Sequence, residues 1–392
     1  MRNVMEFSMP VEIVLGNGVS SRVGEFASKH GTKAIVVSMK DSKALAPIVK
    51  KVLNNLEGAG VAWVLFDEFR PNPGTKLIDK GAKRAREEGC DVVIAVGGGT
   101  AMDAATAIAV GAVDEHPVWH YVDIGDNVPQ GPKSALPVIN VATTTGTGTE
   151  VNSSAAITNN DTLEKAAISS PNIYPKVSLI DIQLMLSLPP RKTALSAIDM
   201  LFHAIESYIS RVANPLSEIM AEEALRLIAN NIVVAHNNPR DVQARYNLAY
   251  ANVFAGIAHD STSGVLLHAM SFPLSGRLGV GHGEALSILA LPFLRATWWS
   301  NVHKFARITR LLGGDIYRTM SDEEAAAYCT EVLEQLLDAV GIKPKFQGLG
   351  IGEEQIEILA EDAFKTMRHG IENNPFSVTR SFVKGLYREA LK

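Results

Sequence analysis

The chain has 392 residues, of which 46% are hydrophobic and 20% charged, and its formal net charge at pH 7 is −5. This length exceeds the usual size of a single hydrophobic core, so two domains are expected. The mild negative charge gives no electrostatic reason to expect a nucleic acid or an anionic membrane as partner. Cys90 and Cys329 are the only cysteines, too few for a disulfide framework and compatible with a reducing cytoplasm.

The N-terminal segment, residues 1–10, lacks the apolar core of a signal peptide. Elsewhere the chain has no stretch approaching the roughly 18–20 uninterrupted apolar residues that a membrane helix needs. The sequence therefore predicts a cytoplasmic protein whose partners are small molecules, with neither a nucleic acid nor a membrane among them.

The first half of the chain alternates short β-branched runs with amphipathic stretches. The predicted strands are Val11–Leu15, Ala34–Ser38, Val61–Phe66, Asp91–Val96, Pro137–Thr143 and Val177–Ile182. Between several of them lie segments long enough for a crossover helix, such as Ser42–Leu56 and Thr75–Glu88. This alternation predicts a mostly parallel sheet covered on both faces, which binds its ligands at the carboxyl ends of the strands.

A glycine-rich loop follows the fourth predicted strand. Gly97, Gly98 and Gly99 come directly before a helix that contains Asp103. Glycines let the backbone approach a phosphate closely, and the free N–H groups at the start of a helix attract its charge. A plain tight turn explains the triplet equally well, because the run lacks the GxGxxG spacing.

A threonine-rich loop, residues 142–150, follows the fifth predicted strand. It includes Thr143, Thr144 and Thr147, whose hydroxyls and backbone amides can contact a nucleotide, although a surface loop has the same composition. Because both loops follow strands of one sheet, together they favour a dinucleotide at its carboxyl edge.

The pattern changes near Pro189 and Pro190, because prolines end whatever element precedes them. Long amphipathic stretches then replace the β-branched runs: Leu195–Ser210, Leu216–Ala235, Gln243–Ala258, Gly283–Trp298, Asp322–Val340 and Glu353–Met367. The sequence thus predicts an α/β dinucleotide-binding domain over residues 1–187 and an all-helical domain over residues 188–392.

Asp199 and His203 lie four residues apart on the helical stretch Ser196–Ile209, so their side chains can converge on one point. His268 and His282 are two further candidate ligands. One carboxylate and three imidazoles suit Fe²⁺ or Zn²⁺ and leave room for a substrate oxygen.

A hydrogen-bonded Asp/His pair is the commoner reason for such spacing, and the later histidines join it only if the fold brings them together. A metal in the helical domain, facing a nucleotide on the sheet, would place the active site in the cleft between the two domains.

Motifs along nearly the whole chain resemble those of the iron-containing (group III) alcohol dehydrogenases. They are LGNGV, GGGTAMD, TTTGTGTE, DMLFHAIE, HAMSFPLSG with HGEA, and NNPF at 373–376. The resemblance implies a Rossmann-like domain followed by an all-α domain, the architecture shared with dehydroquinate synthase. It also implies reversible hydride transfer between NAD(P)H and a small aldehyde or alcohol, usually with Fe²⁺, in a homodimer or larger homo-oligomer.

The resemblance implies roles for two groups of residues. The implied metal ligands are Asp199, His203, His268 and His282. The implied cofactor residues are Gly97, Gly98, Gly99 and Asp103 on the pyrophosphate and ribose side, Thr143, Thr144 and Thr147 lining the nucleotide site, and Lys165, which matches a family lysine near the cofactor. Lys165 is for this reason also a candidate catalytic residue.

One departure from the family pattern concerns the proton donor. Many members carry a histidine, assigned to proton relay, at the position of Phe272. His259 stands where relatives often have phenylalanine, and it is a candidate substitute. Alternatively, His259 is only a partly buried, hydrogen-bonded histidine, and a water on the metal is the proton donor.

A second departure concerns the cofactor. Ser38 ends the second predicted strand, and Met39 follows it at the position where NAD-preferring members often place an aspartate that would repel a 2′-phosphate. Met39 followed by Lys40 favours NADP(H) slightly over NAD(H). A shift of one residue in this alignment would bring Asp41 into play and favour NAD(H) instead.

A third feature concerns the substrate. The variant HAMSFPL with HGEA is similar to relatives that reduce short anionic aldehydes such as phosphonoacetaldehyde. Arg277 and Arg368 are cations that can face such a pocket, although both are more typical of exposed positions.

A catalytically silent nucleotide- or metal-binding relative is the remaining hypothesis. The absence of a histidine at Phe272 favours it, and retention of all four candidate ligands opposes it.

Overall fold

The structure is a computed structural model that describes residues 5–125, 131–343 and 351–390. Residues 1–4 of the segment considered for a signal peptide therefore lie outside the described residues. The chain divides into two compact units: one is Ser8–Ser187, and the other is Leu188–Lys392 together with Met1–Phe7.

The first unit contains a six-stranded parallel sheet and an antiparallel hairpin. The strands are β1 (Glu12–Gly16), β2 (Lys33–Met39), β3 (Ala62–Phe69), β4 (Val92–Gly97), β5 (Val138–Ala142), β6 (Ser154–Thr158), β7 (Lys165–Ser169) and β8 (Val177–Asp181). All six predicted strands are present in the large sheet. The hairpin of β6 and β7 is an element that the sequence did not predict.

The order of the large sheet, β1-β8-β5-β4-β2-β3, determines where a ligand can bind. After β2 the chain adds β3 on one side of it, and then returns to add β4 on the other side of β2. The direction in which successive strands are added therefore reverses between β2 and β4. In open parallel sheets, ligands bind outside the carboxyl ends of the strands at such a reversal. Met39 and Gly97 end the two strands at this point.

The helices of this unit are α1 (Val23–His30), α2 (Ala46–Gly58), α3 (Thr75–Glu87), α4 (Gly99–Gly111) and the short α5 (Ile182–Met185). The predicted helices Ser42–Leu56 and Thr75–Glu88 correspond to α2 and α3. β4 and β5 are buried along their whole length, which explains why their sequences are apolar except for Asn140.

The described part of the second unit consists of helices and the loops between them, without a strand. Its helices are α6 (Pro190–Ile209), α7 (Pro215–Asn237), α8 (Val242–Thr262), α9 (Leu266–Leu278), α10 (His282–Thr297), α11 (Val302–Gly313), α12 (Asp322–Ala327), α13 (Cys329–Ala339), α14 (Glu353–Thr366), α15 (Arg368–Asn373) and α16 (Arg380–Ala390). Among the helices described, none is both long and apolar enough to cross a membrane.

Several helices of this unit differ from the sequence prediction. α6 begins at Pro190 rather than Leu195, because proline suits the first turn of a helix, where its missing N–H is not needed. The predicted helix Asp322–Val340 is instead two helices, α12 and α13, separated by Tyr328, whose ψ of 0° is not helical. α9, which carries His268, was not predicted as a helix, and neither were α11, α15 and α16.

The carboxylate of Asp181, at the end of β8, holds the N-terminal loop in place. It accepts hydrogen bonds from the N–H of Gly18 (2.9 Å), from the N–H (3.1 Å) and hydroxyl (2.6 Å) of Ser20, and from the N–H of Gln183 (3.1 Å). Gly18 has φ of +73°, a conformation that favours glycine and explains the LGNGV motif. Asp181 itself is fully buried.

Replacing Asp181 by Ala should lower the free energy of unfolding by about 3 kcal/mol, because several donors lose a buried, charged acceptor at once. The control, Ser20→Ala, removes only one of these bonds and should cost about 1 kcal/mol. Thermal unfolding followed by circular dichroism measures both. Equal transition temperatures for Asp181→Ala and the wild type would contradict this role.

Candidate metal centre

Helix α6 supplies the first two candidate ligands. Asp199 and His203 lie one turn apart and are 4% and 5% exposed, so both polar side chains are inside the helical unit. The apolar residues around them on α6, among them Phe202 and Ile205, are fully buried in the main core. The packing of α6 therefore fixes where the carboxylate and the imidazole lie.

The four predicted ligands come together. Asp199 Oδ1 lies 3.6 Å from His203 Nε2, 3.7 Å from His268 Nε2 and 3.5 Å from His282 Nε2. These distances are too long for hydrogen bonds. They lie at or within about 0.1 Å of the separation of about 3.3–3.6 Å between ligand atoms that surround a tetrahedral ion at about 2.0–2.2 Å. The ligand atoms of Asp199, His268 and His282 also all lie within 4.8 Å of one another.

Hydrogen bonding supports the fit to a cation. Asp199 Oδ1 and His268 Nε2 are buried, and neither has a hydrogen-bond partner among the described residues. Such atoms are costly to bury unless something compensates them. A divalent cation would bind both, and the donor set of one carboxylate and three imidazoles suits Fe²⁺ or Zn²⁺.

The pKa values of two candidate ligands, His203 and His268, are shifted in opposite directions. Burial is the main reason why the pKa of His203 lies well below its usual value, and repulsion from His259 adds to the shift. Burial also acts to lower the pKa of His268, but the carboxylates of Glu206 and Asp199 outweigh it and raise that pKa to about 9. The two carboxylates thus favour positive charge beside His268, either a proton or a metal ion.

Glu206 is a residue that sequence reasoning missed. It is fully buried, and its carboxylate accepts the Nδ1 hydrogen of His268 on the side of the ring opposite Nε2. It follows Asp199 by seven residues, two helical turns, and so lies on the same face of α6. That spacing within DMLFHAIE is the sequence signal that could have revealed it.

His259 and Phe272 flank the ligands. The ring of His259 lies 4.3 Å from that of His203 and 5.4 Å from that of His268, centroid to centroid. Burial lowers the pKa of His259 to about 3, helped by repulsion from His268. The ring of Phe272 stands edge-on to that of His282 at 5.8 Å. The structure therefore brings the predicted proton-relay candidate beside the candidate ligands.

In the α/β unit, the glycine and threonine loops pack directly on each other. The N–H of Thr143 donates to the carbonyl of Gly97 at 2.9 Å. A Cβ added to Gly98 would lie 2.4 Å from Thr144 Oγ1, and one added to Gly99 would lie 2.4 Å from Thr147 Cγ2. The loops can be this close only because the glycines lack side chains.

Three other predicted cofactor residues, Asp103, Ser38 and Lys165, lie on or beside the strands and helix of this part of the sheet. Asp103, on α4, accepts a hydrogen bond of 3.2 Å from Thr149 Oγ1 in the threonine loop. Ser38 is buried, and its hydroxyl donates to the carbonyl of Val96 at 3.0 Å, which joins β2 to β4. Lys165 is buried at the start of β7, in the hairpin whose strand β6 packs against α4.

Three of the charged residues weighed for specificity have charged partners. Asp41, just beyond Met39, lies 3.8 Å from Arg70, and both side chains are exposed. Arg277 forms a two-point ion pair with Asp362, and Arg368 Nε lies 2.8 Å from Glu372.

Comparison with known proteins identifies the family. A family described as iron-containing alcohol dehydrogenase matches residues 10–182, and its C-terminal counterpart matches residues 193–391. The 1,3-propanediol dehydrogenase of Klebsiella pneumoniae is 32% identical over 389 residues, which cover 99% of each chain. The chain belongs to the iron-containing alcohol dehydrogenase family.

Solved structures agree with this family membership. An archaeal halo-thermophilic alcohol dehydrogenase from a Red Sea brine pool has 32% identity, covers 100% of both chains and gives a TM-score of 0.95. The sulfoacetaldehyde reductase of Bifidobacterium kashiwanohense, solved with NAD⁺, has 28% identity and a TM-score of 0.82, with 99% of this chain and 98% of that one covered. The fold predicted from the sequence for an iron-containing alcohol dehydrogenase is confirmed.

Replacing Gly98 by Ala should lower the free energy of unfolding by about 1–3 kcal/mol, because the new methyl group collides with Thr144 Oγ1. Removing that oxygen in the double variant Gly98→Ala/Thr144→Ala should recover most of the loss. Gly58→Ala, where a Cβ meets no atom within 4 Å, is the control. Thermal unfolding measures the series, and a double variant no more stable than Gly98→Ala would contradict the packing of the two loops.

Proposed function

We propose that the protein is a metal-dependent, NAD(P)H-linked alcohol dehydrogenase that acts reversibly as an aldehyde reductase on short-chain substrates. The observation that carries this proposal is the approach of three imidazole Nε2 atoms to 3.5–3.7 Å from one buried carboxylate oxygen. Membership of an oxidoreductase family supports the same reaction class.

Asp199, His203, His268 and His282 are proposed to hold a divalent metal, Fe²⁺ in the first place, with Zn²⁺ compatible with the same donors. When bound, the ion would supply Lewis-acid polarisation of the substrate oxygen. One carboxylate and three neutral imidazoles leave part of its positive charge uncompensated, which that polarisation requires. Burial in the core keeps most water away from Asp199, His203 and His268, which strengthens their electrostatic interactions.

The α/β unit is proposed to bind the dinucleotide at the carboxyl edge of the sheet. Support comes from the reversal of strand order between β2 and β4 and from the contact between the glycine and threonine loops. The free N–H groups at the start of α4 would face the pyrophosphate. The proposed contacts are Gly97, Gly98, Gly99, Asp103, Thr143, Thr144 and Thr147, with Ser38 and Met39 at the end of β2 and Lys165 on the neighbouring hairpin.

NADP(H) is proposed as the preferred cofactor over NAD(H). Met39 ends β2 and brings no carboxylate to repel a 2′-phosphate, while Lys40 follows it with a positive charge. The ion pair between Asp41 and Arg70 supports this choice, because a cation already lies beside that carboxylate.

His259 is proposed to move the proton that accompanies hydride transfer, in place of the histidine that relatives carry at position 272. Its ring lies 4.3 Å from the ring of His203, and its buried Nδ1 has no hydrogen-bond partner among the described residues. An imidazole can pass a proton because one nitrogen donates while the other accepts.

A neutral short-chain aldehyde is proposed as substrate in preference to an anionic one. The name of the Bifidobacterium kashiwanohense relative points to an anionic aldehyde for that enzyme. Here the two cations considered for such a substrate form ion pairs, Arg277 with Asp362 and Arg368 with Glu372, so neither is left to neutralise an anionic substrate.

The protein is further proposed to work in the cytoplasm as a homodimer or larger homo-oligomer.

Removal of metal should abolish aldehyde-dependent oxidation of NADPH, and Fe²⁺ or Zn²⁺ should restore it, with NADPH used faster than NADH.

Replacing His268 by Ala should lower kcat at least about 100-fold and reduce bound metal. His303→Ala, which removes an exposed histidine paired with Asp322, is the control and should keep wild-type activity. Metal binding with no turnover of any neutral or anionic short aldehyde would instead support a silent relative.

Replacing His259 by Phe should lower kcat about 100-fold or more, because a positioned proton carrier is lost. KM for the nicotinamide cofactor should change little, since the variant leaves the glycine and threonine loops intact. Introducing a histidine in the double variant His259→Phe/Phe272→His should restore part of kcat. Steady-state kinetics of both variants tests the proposal, and an unchanged kcat in His259→Phe would refute it.

A further inference from the structure

Glu206 contacts three groups at the beginning of α9. Its Oε1 accepts the backbone N–H of Leu267 at 2.8 Å and that of His268 at 3.2 Å, and its Oε2 accepts the Nδ1 hydrogen of the His268 ring. Glu206 is fully buried, and His268 is 2% exposed. One carboxylate therefore holds both the backbone and the side chain of His268.

The backbone contacts complete a helix end. Leu267 and His268 are the second and third residues of α9, and N–H groups in the first turn of a helix have no partner within it. Val265, the residue before the helix, provides no side-chain hydrogen bond to them. Glu206, on a different helix, therefore provides the acceptor that a capping serine or aspartate would usually supply.

The ring contact fixes which nitrogen carries hydrogen. An ionised carboxylate can only accept, so Nδ1 of His268 carries the hydrogen and Nε2 of the neutral ring carries the lone pair. Nε2 is the nitrogen that lies 3.7 Å from Asp199 Oδ1. The ring of His268 is also stacked on that of His203, with centroids 4.7 Å apart and an interplanar angle of 15°. The lone pair is thus held in a defined direction.

We infer that Glu206 is a positioning residue for the metal: it keeps His268 in the tautomer whose Nε2 can bind the ion, and it fixes the ring by capping α9. This inference rests on the proposed role of His268 as a ligand. Carboxylates that accept the second N–H of a metal-bound histidine typically strengthen metal binding by about 10–100-fold.

Glu206→Gln separates the two parts of this role. Two backbone N–H groups face Oε1, so the amide oxygen of glutamine should remain there and its NH₂ group should face His268 Nδ1. Nδ1 must then accept, which places the hydrogen on Nε2 and removes the lone pair that binds metal. Glu206→Ala removes the cap as well. Tyr208→Phe, on the same helix, loses the hydrogen bond to Glu222 and controls for a buried polar change away from the ligands.

The affinity of the metal-stripped full-length variants for Zn²⁺ is measured by competition with a chromophoric chelator, together with the thermal unfolding temperature. Glu206→Gln should bind Zn²⁺ about 10–100-fold more weakly while unfolding near the temperature of Tyr208→Phe. In the Zn²⁺-loaded wild type, proton NMR should show a hydrogen-bonded Nδ1 proton of His268, assigned by its loss in His268→Ala, and Glu206→Gln should lack this signal.

Wild-type affinity in Glu206→Gln would overturn the inference, as would weak binding confined to Glu206→Ala, because capping alone would then matter. The same series includes His268→Ala. If that variant also binds Zn²⁺ as the wild type does, the proposed metal site itself fails. If His268→Ala weakens binding and Glu206→Gln does not, only the positioning role of Glu206 is refuted.

Discussion

Two carboxylates are buried on one face of α6, and the stability of the helical unit depends on groups that offset the cost of burying their charge. Asp199 and Glu206 are 4% and 0% exposed, and burying an ionised carboxylate is costly unless it is paired and hydrogen-bonded. Glu206 is compensated by three N–H groups at the start of α9. Asp199 faces three imidazole nitrogens at distances too long for hydrogen bonds. A divalent cation among these atoms would resolve the imbalance, so the ion proposed for catalysis would also stabilise the fold.

The geometry of the α/β unit at the carboxyl edge of its sheet depends on close packing of two loops rather than on buried charges. Its two central loops touch because Gly98 and Gly99 leave room for Thr144 and Thr147. The hydroxyl of Ser38 joins β2 to β4 where the strand order reverses. Packing of this kind fixes backbone N–H groups at the carboxyl edge of the sheet, and fixed amides can bind a pyrophosphate without conformational cost.

Local patterns predicted most of the fold, and what they missed has either a contact distant in sequence or a weak or misleading local signal. The spacing of Asp199 and His203 was visible within one helix, whereas Glu206 acts on a residue 62 positions away, which no local pattern shows. Helix α9 was missed because Pro273 lies inside it, and proline usually ends a helix. The hairpin of β6 and β7 was missed because its short, alanine-containing strands have weak β propensity and depend on packing.

The most direct test of the metal centre is X-ray absorption spectroscopy at the zinc edge on the Zn²⁺-loaded protein. We expect four to five nitrogen and oxygen ligands at about 2.0–2.2 Å, with the outer-shell scattering of three imidazoles. In Asp199→Ala, one oxygen ligand should be lost from this shell or replaced by water. A hydrated ion surrounded by oxygen alone, or fewer than two imidazoles around the metal, would contradict a metal centre built from Asp199 and the three histidines.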